Sequence, residues 1–188
     1  MGCSPNVCME AGKVLREIEA QAEERVLPII GKTKGSLLIR LLRAHKPKHI
    51  LEIGTLVGYS AILMAAYSDA QITTIEIDPA AAKAAGHNIR RAGAAERITI
   101  VVGDARERIP KLKGTFDFVF VDAEKSQYLT YLLLAEDKTQ KGAIVVADNA
   151  KIFAHEMRDY LAHVRNSKMY KSEFHDFGFD GVEVSVRR

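Results

Sequence analysis

Apolar residues recur along the chain with two different periods, and the switches between them mark out the elements. From 7 to 27 they fall at helical spacing (Val7, Val14, Leu15, Ile18, Ala22, Val26), and Pro28 ends the run. "GSLLIRLLRAHK", residues 35–46, predicts a second helix closed before Pro47. An alternation follows. Strands are expected at "HILEIG" (49–54), "QITTIEI" (71–77), "RITIVVGD" (97–104), "FDFVFVD" (116–122) and "GAIVVAD" (142–148). Between them the pattern predicts helices at "YSAILMAAYS" (59–68), from Pro79 to Ala92 and at "SQYLTYLLLAED" (126–137), with a short helix or turn up to Pro110. A last helix is expected over 154–167, before two β-rich pieces, 169–177 and 181–188, joined by the turn "GFDG".

Strands alternating with helices imply an α/β domain whose parallel sheet is covered on both faces, with a closing hairpin adding one antiparallel strand. Runs such as "AIVVA" belong to strands buried on both faces, where polar groups are costly. Several of them nevertheless end in polar residues. Glu76, Asp104, Asp122, Asp148 and Gly54 all fall at strand C-termini. In sheets of this kind ligands gather beyond the carboxyl ends of the strands, so these residues are candidates for one site.

Composition narrows the setting. The 188 residues suit one domain with a proper core. A formal net charge of +3 is too small to argue for nucleic acid by itself. The chain has no apolar run of about 18 residues, which argues against a membrane span. The opening "MGCSPNVCME" has Asn6 where a myristoylation signal needs Ser or Thr, and it lacks the basic and apolar regions of a secretory leader. Cys3 and Cys8 are the only cysteines, without the second pair that a zinc site needs. A reducing, cytoplasmic location is expected.

"LEIGTLVGYS" has the form of a nucleotide loop: a strand, glycines, then a helix start. Its G-x-x-x-G spacing is not the dinucleotide fingerprint, and no Gly-Lys-Ser/Thr follows to make a P-loop. Glu52 so near the loop disfavours phosphate and suits a cationic ligand, while Glu76 is placed to accept the hydrogen bonds of a ribose diol. The alternative is a tight strand-to-helix turn with solvated carboxylates. Asp104 either contacts an adenine amino group or caps the following helix. Asp122, Asp148 and Asn149 form a hard-oxygen set suited to magnesium or calcium, and Lys125 is near enough in sequence to approach it. The alternative for the aspartates is helix capping. "HEMRD" at 155–159 lacks the second histidine of a zinc helix, and Ser60 lacks the full nucleophile elbow.

Taken together, "LEIGTLVGYSAI", "TTIEIDP", "GDA", "FDFVFVDAEKSQYLTY", "GAIVVADN" and the ending "FDGVEVSVRR" resemble the metal-dependent O-methyltransferases related to catechol and caffeoyl-CoA O-methyltransferases. Bacterial relatives that methylate hydroxyuridine in tRNA share this signature. The resemblance implies a Rossmann-like class I methyltransferase fold: a seven-stranded, mostly parallel sheet in residues 35–188, with residues 1–34 as an N-terminal helical cap. It implies S-adenosylmethionine as methyl donor. Glu52, Gly54, Thr55 and Ser60 would hold its methionine end, Glu76 its ribose, and Asp104 with Ala105 its adenine, with Asp122 also bordering it. A divalent metal, magnesium before calcium or manganese, would be held by Asp122, Asp148 and Asn149, and Lys125 would stand beside the reacting hydroxyl. Compared with the family, the segment after Asn149 is short, and Phe153 stands where plant members use a polar residue.

The leading expectation is an enzyme that methylates a catechol-like or vicinal-diol small molecule. A second keeps the chemistry with tRNA as acceptor, its phosphates met by Lys32, Lys34, Arg40, Arg43, Lys46 and Lys48, or by Arg106, Arg108, Lys111 and Lys113. A third is a donor-binding module without catalysis. No membrane partner is expected. The family implies a homodimer, to which the apolar N-terminal helix would contribute.

Overall fold

The computed structural model describes residues 5–25 and 27–188; Cys3 and Val26 lie outside the described residues, as do the side chains of Val7 and Cys8. Two helices, α1 (Pro5–Arg25) and α2 (Gly31–His45), lead into β1 (His49–Ile53), α3 (Tyr59–Tyr67), β2 (Gln71–Glu76), α4 (Pro79–Arg91) and β3 (Ile98–Val102). Then come α5 (Ala105–Arg108), β4 (Phe116–Val121), α6 (Tyr128–Glu136), β5 (Thr139–Ala147), α7 (Arg158–Asn166), β6 (Tyr170–Asp176) and β7 (Gly181–Arg187). The strands form one seven-stranded sheet in the order β3-β2-β1-β4-β5-β7-β6. β1 to β5 are mutually parallel, and β7 runs antiparallel to both β5 and β6. This is the expected Rossmann-like architecture with its closing hairpin.

The period-two pleat sorts each central strand between two apolar layers. Ile50, Phe118, Phe120, Ile144 and Val146 join a cluster with α1 to α4, while Leu51, Ile53, Val119, Val121, Val145 and Ala147 join one with α5 to α7. Both faces are therefore covered, which is why these strands read as near-continuous apolar runs. Ala11, Val14, Leu15 and Ile18 of α1 are buried in the first layer. That apolar face is used within the chain. The boundary drawn at 34/35 falls inside α2. Among the described residues no helix is long and apolar enough to cross a membrane.

Several element boundaries differ from the pattern, among them β5, which starts at Thr139 rather than 142. α2 starts at Gly31 rather than 35, because its first turn, Gly-Lys-Thr-Lys, carries no apolar periodicity to announce it. Residues 125–127 form a short 3-10 turn before α6. The last helix begins at Arg158, and 151–157 are turns. This stretch is tied to the β6–β7 hairpin as well as to itself: Ala150 N donates to Gly181 O, Ile152 N to Asp180 and Lys151 Nζ to Asp176, while Ala154 N donates to Lys151 O and Met157 N to Phe153 O.

β1 and β4 are neighbours, but the chain leaves β1 toward β2 on one side and reaches β4 on the other. Their C-termini therefore flank the point where the strand order reverses, the usual place for a ligand crevice. Here Gly54, with φ +99°, passes so close to β4 that an ideal Cβ would lie 2.0 Å from the Asp122 carbonyl oxygen. Only glycine allows that approach. Gly54→Ala is predicted to cost about 3 kcal/mol, since strain adds to a backbone clash that cannot yield. Thermal unfolding should fall by roughly 6–12 °C. Gly114→Ala, at φ +82° with open space around it, isolates the strain and should cost less.

Candidate active site

The carboxyl edge of the sheet opens into one cavity of ≈ 700 Å³ that reaches from Ile77, Asp104 and Tyr131 at one end to Asp148, Asn149 and Phe153 at the other. Gly54, Glu76, Ala105, Asp122 and Lys125 also line it. Five strand ends thus contribute to a single space, as the sequence pattern anticipated.

At the β1 end, Glu76 braces the loop that follows Gly54. Its Oε2 accepts from the backbone N–H groups of Thr55 (3.1 Å) and Leu56 (2.7 Å), and its Oε1 from Asp78 (3.0 Å). The Thr55 hydroxyl turns away from the cavity to Thr74, 2.5 Å off. Ser60, at the start of α3, lines a small recess of ≈ 30 Å³ with Gly54, Ile29 and Tyr59. Glu52 lies beneath these groups, on the face shared with Ile50. It is fully buried, and neither carboxylate oxygen has a hydrogen-bond partner. Burial pushes its pKa up to about 8, with the hydroxyls of Ser60 and Thr74 as its neighbours acting the other way. An orphaned buried acid beside a ligand recess fits a cationic group, since only a nearby positive charge makes its ionised form comfortable there. Asp104 resolves to the capping alternative: it accepts from Arg106 N at 2.8 Å and forks with the Arg106 guanidinium, which lowers its pKa, yet it still borders the cavity.

At the β4–β5 end two carboxylates are held by two lysines. Asp122 Oδ1 accepts from Lys125 Nζ at 2.8 Å, and the same ammonium donates to Tyr128 Oη at 2.9 Å and sits over the rings of Tyr128 and Phe153. Asp148, 2% exposed, has Lys34 Nζ at 2.6 Å from Oδ1 and 2.8 Å from Oδ2. Burial raises the Asp148 pKa to about 6, the Asp122 charge adds to the rise, and Lys34 opposes it. Lys34 also donates to Asp180 Oδ2 at 2.7 Å. Burial works to lower the Lys34 pKa, but Asp148 and Asp180 outweigh it and the net shift is upward. Asn149, at φ 64°, donates its amide Nδ2 to Asp180 Oδ2 at 2.7 Å.

The set Asp122, Asp148 and Asn149 offers two carboxylates and one amide oxygen. Among the described residues there is no cluster of three or more His, Cys, Asp or Glu side chains able to hold a metal. A transition-metal cage is therefore a poor match. Magnesium needs no such cage, because it retains waters and is usually held by one or two carboxylates, so the donor chemistry fits it.

The family comparison decides what class of protein this is. The profile of the O-methyltransferase family matches residues 6–171. The chain belongs to the O-methyltransferase family. The methyltransferase is 34% identical over 172 residues to catechol O-methyltransferase of Sus scrofa, with 84% of this chain and 91% of that one covered. It is 38% identical over 123 residues to catechol O-methyltransferase of Mycobacterium tuberculosis, where the match covers 64% of this chain and 56% of that longer one. Among solved structures, the O-methyltransferase TomG from Streptomyces achromogenes, involved in tomaymycin synthesis and in complex with SAM, is 26% identical with a TM-score of 0.79, covering 100% of this chain and 92% of that one.

Sequence reasoning missed three groups in the methyltransferase site. Lys34 was placed among surface cations for tRNA phosphates, but it turns inward; Lys32 pairs with Glu19 at 3.1 Å, and Arg43 lies over the Tyr67 ring. Asp180 and Tyr128 lie within motifs that carry the family resemblance, but the sequence attaches no role to either. The partners of Lys34 and Asp180 are 114 and 31 residues away in the chain. Tyr128 follows Lys125 by three residues, the spacing of one helical turn, and that relation was available.

Glu52 generates a pH prediction. Between its ordinary value of 4.5 and about 8, the folded state keeps a proton that the unfolded chain has already released. Stability from this group is therefore full below 4.5 and is lost as pH rises through about 8. Glu52→Gln should leave the melting temperature of the ligand-free methyltransferase almost unchanged at acid pH. At alkaline pH it should raise it by about 2–4 °C, the shift expected for roughly 1 kcal/mol in a chain of this size. Unfolding scans across pH check both limbs.

Proposed function

We propose that the protein transfers the methyl group of S-adenosylmethionine to one hydroxyl of a catechol-like or vicinal-diol small molecule, with a divalent cation, magnesium by preference, at Asp122, Asp148 and Asn149. The observation that carries this reading is the main cavity, which sets Gly54, Glu76 and Asp104 in one space with Asp122, Lys125 and Asp148; the smaller recess at Ser60 adjoins it, sharing Gly54 and Asp122 in its lining. The S-adenosylmethionine complex of the related TomG supports the donor, and the catechol O-methyltransferase relatives support the acceptor class.

The donor brings a sulfonium; Asp122 supplies negative surroundings for it, and a cation seated near Glu52 would favour that buried acid's ionised form. Glu76, already bonded to the Thr55 and Leu56 amides, holds the loop against which the ribose would rest. Asp104 and Ala105 border the adenine end. A bound divalent cation lowers the pKa of a coordinated hydroxyl. Lys125, held from two sides by Asp122 and Tyr128, would take the released proton if its amine were neutral when the acceptor binds, and as the ammonium it would balance the oxyanion. The acceptor oxygen then forms its bond to the methyl carbon as the carbon–sulfur bond breaks with its electron pair on sulfur. The products are the methyl ether and S-adenosylhomocysteine. Alignment of the two reactants in one crevice supplies most of the acceleration in such a transfer.

Pro28, Ile29, Ile152 and Phe153 give the acceptor side an apolar rim. That suits the flat face of an aromatic diol better than a polyanion, and the inward turn of Lys34 removes one cation from the tRNA alternative.

The test is methyl transfer to a panel of catechols with and without magnesium. Lys125→Met should lower kcat by about 10²–10⁴-fold with S-adenosylmethionine affinity retained in calorimetry. Turnover that ignores both a chelator and this substitution would remove the metal and the lysine from the mechanism. Turnover on hydroxyuridine-containing tRNA, but on no diol, would replace the acceptor.

A further inference from the structure

Asn149 presents a choice that its own chemistry does not make. A primary amide has two nearly isosteric edges, one a carbonyl acceptor and the other an NH₂ donor, and only a neighbour decides which way it faces. A hard cation takes the carbonyl oxygen alone. The neighbour here is Asp180, in the connection between β6 and β7. Its Oδ2 accepts from Asn149 Nδ2 at 2.7 Å and from Lys34 Nζ at 2.7 Å, and its Oδ1 accepts from Ile152 N at 3.3 Å. Every contact on this carboxylate is a donor, and its side chain is 9% exposed. Turning the amide over would set its carbonyl oxygen against a nearly buried carboxylate.

We propose that Asp180 is a positioning residue that selects which edge of the Asn149 amide faces the cation. This rests on the metal reading above. Lys34 completes the device: its ammonium bonds Asp148 and Asp180 at once, so α2 locks the end of β5 to the β6–β7 connection. Two of the three ligands are thereby set from outside the cavity. The left-handed backbone of Asn149, tolerable for asparagine, fixes where its side chain begins, and Asp180 fixes how it ends.

The experiment is a double-mutant cycle read by manganese binding, with electron paramagnetic resonance of free Mn²⁺, on the purified full chain. Asp180→Ala should weaken Mn²⁺ binding by about 10–100-fold, the usual cost of removing a partner that orients a ligand. In the Asn149→Asp background the same change should cost less than about threefold, because a carboxylate presents oxygen on either edge. Binding of S-adenosylhomocysteine should stay within about twofold in all variants, since its groups lie at the β1–β3 end. An equal loss in both backgrounds, an unchanged affinity in Asp180→Ala, or a joint loss of nucleoside binding would each overturn the positioning role. A wild-type chain that binds no Mn²⁺ would fail differently, taking down the metal reading itself.

Discussion

Two carboxylates, Asp122 and Asp148, end neighbouring parallel strands and point into the same crevice, and their mutual repulsion is the constraint around which this edge of the molecule is arranged. Burial raises the cost of ionising Asp148, and the charge of Asp122 adds to it. The fold answers with one ammonium for each. Lys125 comes from the turn immediately after β4, so its approach is local. Lys34 comes from α2, on the other side of the sheet edge, so its approach depends on how the N-terminal helices pack. Lys34 spans both oxygens of Asp148, and the Asn149 backbone N–H donates to the same carboxylate.

The donor end obeys a different rule. There a single acid, Glu52, is fully buried with only the hydroxyls of Ser60 and Thr74 nearby, an arrangement that costs stability and that a binding site tolerates where a ligand supplies the missing charge. The close passage of Gly54 over Asp122 brings the two ends within one cavity. The N-terminal helix also takes part. Tyr59, next to Ser60 in the loop-to-helix turn, donates to Glu19 of α1 at 2.7 Å, and Lys32 closes on the same glutamate. The segment carrying Pro28 and Ile29 is thereby held across the mouth of the recess. α1 and α2 are parts of the site as much as a cover for the sheet.

The acceptor side shows how a short connection changes shape. With residues 151–157 folded as turns and bonded to the β6–β7 connection, no long segment overhangs Asn149. Ile152 and Phe153 are left partly exposed beside Lys125. An apolar ring and an ammonium at one rim are the features on which the proposed diol acceptor rests.

By itself the sequence determined the alternation of strands and helices, the parallel sheet, and the placement of Glu76, Asp104, Asp122 and Asp148 on one edge. These follow from local periodicity: a doubly covered strand must be apolar throughout, so the polar residue that ends it stands out. The motif order added Glu52, Lys125 and Asn149 with their expected roles. What only the tertiary structure decided was the direction of side chains whose partners are distant in the chain. Lys34 reads as a surface cation and Asp180 as a turn residue, because nothing near either of them names Asp148 or Asn149. The Thr55 hydroxyl meets Thr74, one strand over, a contact that no local pattern announces. Helix starts at 31 and 158 were hidden for the same reason, their first turns being set by contacts with other elements and not by a pattern of their own. Periodicity reports which face a residue occupies; only packing across the sheet edge settles whom it meets there.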